Sequence, residues 1–208
     1  MLVFFFILLT NLNSIEFYEK IPKQSYDNWN LLIEDTISVY YTNYHDINWG
    51  YTTNNFEYNI DVIYDTLKKL NDYDKIFGRV VESKLLDSNQ GIVYIRLDMP
   101  LFLSDRDYTV KFLEKISPNK SQIIFQFQSV THPDTPYYES SVTLPNAGGE
   151  WRLTKVDNNT TKVEYIWNGE LLGMFPSYQL TTAWKTQGIE VLSWLKKYIS
   201  KKNRKNEH

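Results

Sequence analysis

The chain has no cysteine, which removes disulfides, thiol nucleophiles and cysteine-ligated zinc from consideration. Histidine is nearly as scarce. His45, His132 and His208 are the only three, and none stands in a His-x-x-x-His or comparable ligand spacing. No metal centre and no cofactor are expected. There is no Gly-x-Ser-x-Gly elbow, no phosphate-cradling glycine loop and no dinucleotide fingerprint; Gly148-Gly149 reads as a turn. His132, in Thr131-His132-Pro133-Asp134, reads as part of a loop and has no identifiable partner for general-base work. Carboxylates are plentiful but scattered, so no acid–base pair stands out and no catalytic residue is assigned. A net charge of −3 gives no global attraction to nucleic acid. Internal repeats, proline-rich linkers and domain boundaries are lacking too. One domain over 20–202 with a polar tail over 203–208 is the simplest organisation.

Long apolar runs are confined to one place, Leu2 to Leu9, followed by Thr10-Asn11-Leu12-Asn13-Ser14. The run is too short to span a bilayer. It fits the hydrophobic region of a signal peptide over 1–14, although no Lys or Arg precedes it. Export, periplasmic or secreted, follows if it is one. If the run is instead a buried N-terminal strand or helix, the protein is cytoplasmic. Asn119, Asn158 and Asn159 head glycosylation acceptor triplets that matter only for an exported eukaryotic product.

What the chain does have is aromatic residues, 16% of the total with sixteen Tyr and six Trp. That surplus favours a β-rich fold or a broad apolar cavity. Tyr26, Trp29 and Ile33 suggest a short helix between Ser25 and Glu34. Strands are expected over 36–42 and 49–58, then a helix capped by Asn59 or Asp61 and carrying Val62, Ile63, Leu67 and Leu70, which Asn71 to Lys75 breaks. Further strands follow over 79–87, 91–99, 108–116, 122–130, 137–144, 150–155 and 161–168. Their short turns favour antiparallel pairing. Val93, Ile95 and Leu97 share a face, as do Ile123, Phe125 and Phe127, Trp151 and Leu153, and Val163, Tyr165 and Trp167. Such alternation marks a sheet with one covered side.

The cover is the stretch from Gly173 to Ile199. It opens on Gly173-Met174-Phe175-Pro176 and carries Leu180, Ala183, Trp184, Gly188, Val191, Leu192, Leu195, Tyr198 and Ile199 at helical spacing. Thr181, Lys185, Glu190 and Lys197 fall on the other side. The basic residues from Lys196 to Lys205 read as a solvated helix end, or alternatively as a contact for a membrane surface.

Between two expected strands lies Met99-Pro100-Leu101-Phe102-Leu103-Ser104-Asp105-Arg106-Asp107-Tyr108. This segment resembles the loop of the steroidogenic acute regulatory protein-related lipid transfer (START) domain that closes in Arg-Asp-Tyr or Arg-Asp-Phe. Gly148-Gly149-Glu150-Trp151, Lys162 to Trp167 and the Gly173–Pro176 turn are similar to later parts of that family. The similarity runs from about Trp29 to Ile199. It implies an α+β helix-grip fold: a curved antiparallel sheet wrapped around a long C-terminal helix, with an internal apolar cavity. It further implies a lipid or sterol-like ligand that is carried without catalysis, transient contact with a membrane surface, and a monomer. An enzyme of the same superfamily, aromatase/cyclase-like or hydrolytic, is the alternative.

On this reading Leu101 and Phe102 belong to a gate, since adjacent apolar side chains are costly on a plain surface loop. Val110, Phe112, Phe125, Phe127, Trp151, Trp167 and Trp184 are candidates for the cavity wall, with Leu192 beside them on the helix. Plain core is the competing assignment for each. Arg106 is expected to fix the loop through an ion pair or turn contact, with direct ligand contact as the alternative. Gly188 costs roughly 1 kcal/mol in a helix interior relative to alanine. It is explained either by room for a ligand, in which case Gly188→Leu blocks uptake, or by close packing against a strand.

Overall fold

The computed structural model describes residues 18–99 and 103–206. The Leu2–Leu9 run, Leu101 and Phe102 lie outside them. Ten strands form one open, almost wholly antiparallel sheet: β1 (Asn30–Ile33), β2 (Ser38–Tyr44), β3 (Ile47–Phe56), β4 (Val80–Asp87), β5 (Ile92–Leu97), β6 (Asp105–Ile116), β7 (Gln122–Ser129), β8 (Ser141–Thr143), β9 (Gly148–Lys155) and β10 (Thr161–Asn168). Their spatial order is β1-β2-β3-β10-β9-β7-β6-β5-β4. β8 pairs in parallel with the start of β6, Asp105 opposite Ser141. Helices α1 (Ile60–Leu67), α2 (Tyr73–Ile76) and α3 (Leu180–Asn206) complete the described elements, with 3-10 turns at Leu70–Asp72 and Ser177–Gln179.

The register carries the expected alternation across the sheet. Phe112 sits opposite Phe127, Phe125 opposite Trp151, Trp151 opposite Tyr165, and Tyr165 opposite Thr52. All of these belong to the concave face. Aromatic contacts continue along it, across strands with ring centroids 4.5 Å apart for Phe112–Phe125 and 4.3 Å for Trp151–Tyr165, and along β10 at 5.2 Å for Tyr165–Trp167. The opposite face is more polar and its charges are paired. Tyr51 donates to Glu164 at 2.7 Å, Gln126 to Glu150 at 2.9 Å, and Arg152 bridges Glu150 at 2.6 Å and Gln24 at 2.7 Å.

α1 begins as its cap predicts: the Asn59 side chain accepts from the Asp61 amide at 2.9 Å, with Asp61 in the favourable first turn. Four local expectations need correction. The Tyr26–Ile33 pattern is not helical; its last part is the edge strand β1. The polar run after Leu70 does not simply end the helix but turns again as α2, burying Tyr73 and Ile76. The strand expected over 137–144 shrinks to Ser141–Thr143, since a turn closed by the Ser141 amide donating to the Tyr138 carbonyl at 3.0 Å occupies the residues before it. The terminal helix starts at Leu180 rather than at Pro176, because Pro176 has an extended ψ of 120° and a 3-10 turn over Ser177–Gln179 comes first.

Candidate functional site

α3 lies across the concave face, and the space between them is only partly filled. One end is solid. Leu192, Leu195 and Ile199 are buried in the main core with α1 and β9 residues. Near β2 and β3 the helix touches the sheet directly. A Cβ on Gly188 would stand 2.8 and 2.9 Å from the two Val39 methyls and 3.3 Å from the Thr52 Cβ. Thr52 also donates to the Gly188 carbonyl at 3.2 Å. Gly188 is therefore a close-approach residue, and the expectation that it makes room for a ligand is corrected. Trp184 is part of the same seam: its indole lies against Gly169, its Nε1 donates to the Gly169 carbonyl at 2.7 Å, and its ring stacks on Tyr41 at 5.5 Å. The Trp167 ring covers Gly50, where any side chain would collide with it.

On the other side, toward β5 and β6, helix and sheet part around a chamber of about 470 Å³, within the usual range for small-molecule sites. Val110, Phe112, Phe127 and Trp151 line its sheet wall, together with Tyr108 and Tyr165; Ala183, Gln187, Glu190 and Val191 line its helix wall. Phe77, Val80, Ile95 and Trp194 close the far end. Gln179, Thr182 and Thr186 of the lining are exposed, so the chamber opens beside the first turns of α3. A recess of about 40 Å³ joins it at Tyr108, Tyr165 and Gln187, and Trp167 lines that recess.

Of the residues expected in the wall, Val110, Phe112, Phe127 and Trp151 lie in the chamber and Trp167 in the recess. Phe125, Trp184, Gly188 and Leu192 do not reach the chamber among its described lining residues. Phe125 sits behind, stacked on Phe112. Strand alternation selected the right face but could not tell which part of it is hollow. Glu190, read as solvent-facing, in fact lines the chamber and forms a two-pronged ion pair with Arg79, at 2.7 and 3.0 Å. That pair ties α3 to the start of β4.

Arg106 is 1% exposed and is absent from the chamber wall, so the alternative of direct ligand contact is set aside. It forms no ion pair with Asp107; adjacent strand residues face opposite sides, and Asp107 instead accepts from Thr143 at 2.7 Å. The guanidinium donates to the carbonyls of Leu171 at 2.8 Å, Leu172 at 2.9 Å, and Ser104. Burial lowers its pKa, though a guanidinium stays charged under any ordinary condition. Its effect is mechanical. Ser104 belongs to the segment before β6, and Leu171 and Leu172 to the turn before α3. One side chain thus joins the two loops whose residues Leu103, Leu171, Phe175 and Pro176 border the chamber.

Three phenols are the polar groups of the deep wall. Tyr73 donates to the Leu67 carbonyl at 2.7 Å. Tyr108 and Tyr165 make no hydrogen bond to any described residue, and burial pushes both phenols well above their ordinary pKa. They stay protonated at any physiological pH. Among the described residues no histidine lines the chamber, and no group of three His, Asp or Glu residues could hold a metal ion. Among the described residues no helix is long and apolar enough to cross a membrane.

Neither a family model nor a curated protein sequence matches the chain. Solved structures do. The STAR-related lipid transfer protein from Xanthomonas axonopodis superposes with a TM-score of 0.73 at 21% identity, covering 84% of this chain and 99% of that one. Human STARD10 gives 0.76 at 16% identity over 89% of this chain and 78% of its own. The Zhui aromatase/cyclase from Streptomyces sp. R1128 is more distant, 0.51 at 16% over 73% and 93%. The chain has the α+β helix-grip fold, an open antiparallel sheet around a long C-terminal helix. Within that class its likeness is to START domains.

Proposed function

We propose that this protein binds a lipid or similar apolar molecule in the chamber between the sheet and α3 and carries it, without chemical change, to or from a membrane. The observation that carries the reading is the chamber itself: a space of about 470 Å³ lined mainly by aromatic and aliphatic side chains. Each 100 Å² of ligand surface withdrawn from water there contributes about 2.5 kcal/mol, so shelter alone can retain a ligand. The fold's likeness to lipid transfer proteins supports the same reading. The catalytic alternative finds less support. Glu190 is held by Arg79, the phenols are driven toward their neutral form, and no base is set against an acid in the wall.

Binding is tested with a conjugated-polyene lipid probe whose absorption overlaps tryptophan emission, Trp151 and Trp194 being donors in the wall. Saturable energy transfer at one probe per chain is expected. Ala183→Phe, which fills the chamber from the helix side, should weaken it at least tenfold while the unfolding midpoint moves by only a few degrees. Equal binding by that variant would assign the probe to another surface.

For delivery, the proposed route is the rim before α3. Met174 and Tyr178 there are 92% and 80% exposed, beside Phe175 and Pro176 of the chamber lining. Exposed apolar side chains next to an opening suit a membrane surface. Leu101 and Phe102 are proposed, on sequence alone, for the lid of the same opening. The double variant Met174→Asp/Tyr178→Asp should slow probe transfer between vesicles about tenfold with its equilibrium affinity unchanged. Unchanged transfer rates would exclude this rim as the membrane contact. Export of the protein rests on the Leu2–Leu9 run and is proposed on that ground alone.

A further inference from the structure

The chamber is not uniformly apolar, and three of its polar residues also border the recess. Tyr108 on β6, Tyr165 on β10 and Gln187 on α3 border both the chamber and the small recess, so they surround the junction of the two. Tyr165 is fixed there by its rings, with Trp151 on one side at 4.3 Å, Trp167 on the other at 5.2 Å, and Phe127 at 6.1 Å. Both residues are half-buried against the chamber, and burial raises the pKa of each phenol. Neither hydroxyl, nor the Gln187 amide, is hydrogen-bonded to any described residue. Polar side chains that line an apolar chamber without a protein partner keep their hydrogen-bonding capacity for an occupant, and here three such residues from three elements line the same junction. The recess behind them, about 40 Å³, is close to the volume of one water molecule, about 30 Å³. It has room for a small polar group.

Charge narrows the choice. Among the described residues, the cation in the chamber lining, Arg79, is engaged by Glu190, and Arg106 behind the rim by three carbonyls. A carboxylate or phosphate at the junction would be desolvated against neutral donors only, which is unfavourable. A chamber of about 470 Å³ is suited to a body on the order of 20–30 non-hydrogen atoms at interior packing density.

We infer that Tyr108, Tyr165 and Gln187 form a polar anchor, and that the ligand is an uncharged amphiphile with a single hydroxyl or carbonyl on an otherwise apolar body, held with that oxygen at the mouth of the recess. The inference rests on the binding function proposed above and adds to it which end of the ligand is recognised, by which residues, and which head groups are refused. A site built to hydrogen-bond an oxygen discriminates strongly against an analogue lacking it.

The test is displacement of the polyene probe by three matched compounds, tetradecan-1-ol, tetradecane and tetradecanoate, on the intact protein and on Tyr108→Phe, Tyr165→Phe and the double variant. The alcohol should bind at least tenfold more tightly than the alkane, and the carboxylate at pH 8 no better than the alkane. In the double variant the alcohol should fall to the alkane's level while the alkane keeps its affinity, a control that also shows the chamber intact. Equal affinity of alcohol and alkane on the unmodified protein overturns the anchor, as does an alcohol preference that survives in the double variant. Preferred binding of the carboxylate overturns the uncharged-ligand assignment. Failure of the probe and all three compounds to bind is a different result, since it removes the binding function and the anchor with it.

Discussion

Gly188→Leu should unfold at a markedly lower temperature than the unmodified protein. The Cβ alone would come within 2.8 Å of a Val39 methyl and 3.3 Å of the Thr52 Cβ, and these short β-branched side chains on β2 and β3 have no long flexible tip that could move aside. Either the helix lifts from the sheet, breaking the Thr52 hydrogen bond to the Gly188 carbonyl, or Val39 is forced from its buried site. Overpacking of this kind costs about 3 kcal/mol, less about 1 kcal/mol regained from helix propensity. In a domain of this size that lowers the midpoint by roughly 4–8 °C, readable by circular dichroism. Chamber affinity in the folded fraction should change little, because Gly188 is not in its wall. A midpoint within a degree of the unmodified protein, combined with lost binding, would return Gly188 to the ligand site.

Arg106→Met is the second large effect, and its reach extends to the opening. Methionine fills much of the arginine stem's volume but leaves the Ser104, Leu171 and Leu172 carbonyls without their donor. Hydrogen bonds to a charged group contribute about 1.5–3 kcal/mol each, and stranded buried carbonyls add to the loss. Their effects overlap, so a net destabilisation of about 3–5 kcal/mol is expected. The local consequence is more specific. With the tie cut, the turn before α3 loses its hold on the segment before β6. Amide exchange over 169–176 should accelerate more than that of β9 and β10. Arg106→Lys, which keeps the charge without the planar fork, should recover only part of the stability. Uniform acceleration across the sheet would mean that Arg106 is merely a core residue.

These effects show where the sequence was readable. Inward-facing positions on β7, β9 and β10 followed from alternation alone, because burial on one face leaves a period-two trace in any sequence. The long helix was visible for the same reason at its own period. Hollow and solid parts of the interface leave no such trace. Phe112 and Phe125 look alike in sequence, yet only Phe112 borders the chamber. The difference is set by where α3 can approach the sheet, and that depends on Gly188 meeting Val39 and Thr52, residues far apart in the chain. Tyr108 stood in the Arg-Asp-Tyr signature but was passed over for its charged neighbours. Its place on the same strand face as Val110 and Phe112, with a hydroxyl to satisfy, was the signal that could have found it. Tyr73 was hidden inside a run of polar residues that read as a helix breaker, and Glu190 looked solvated because its partner, Arg79, comes from the far edge of the sheet.

The central claim is that the space between sheet and helix is a binding chamber. Native mass spectrometry tests it most directly, on the purified protein incubated with a total lipid extract and then freed of vesicles. One discrete added mass per chain is predicted, belonging to an uncharged, oxygen-bearing, largely apolar molecule, and lost in Ala183→Phe. A protein that remains at its bare mass in every extract, or that takes up the same mass when the chamber is filled, would contradict the account.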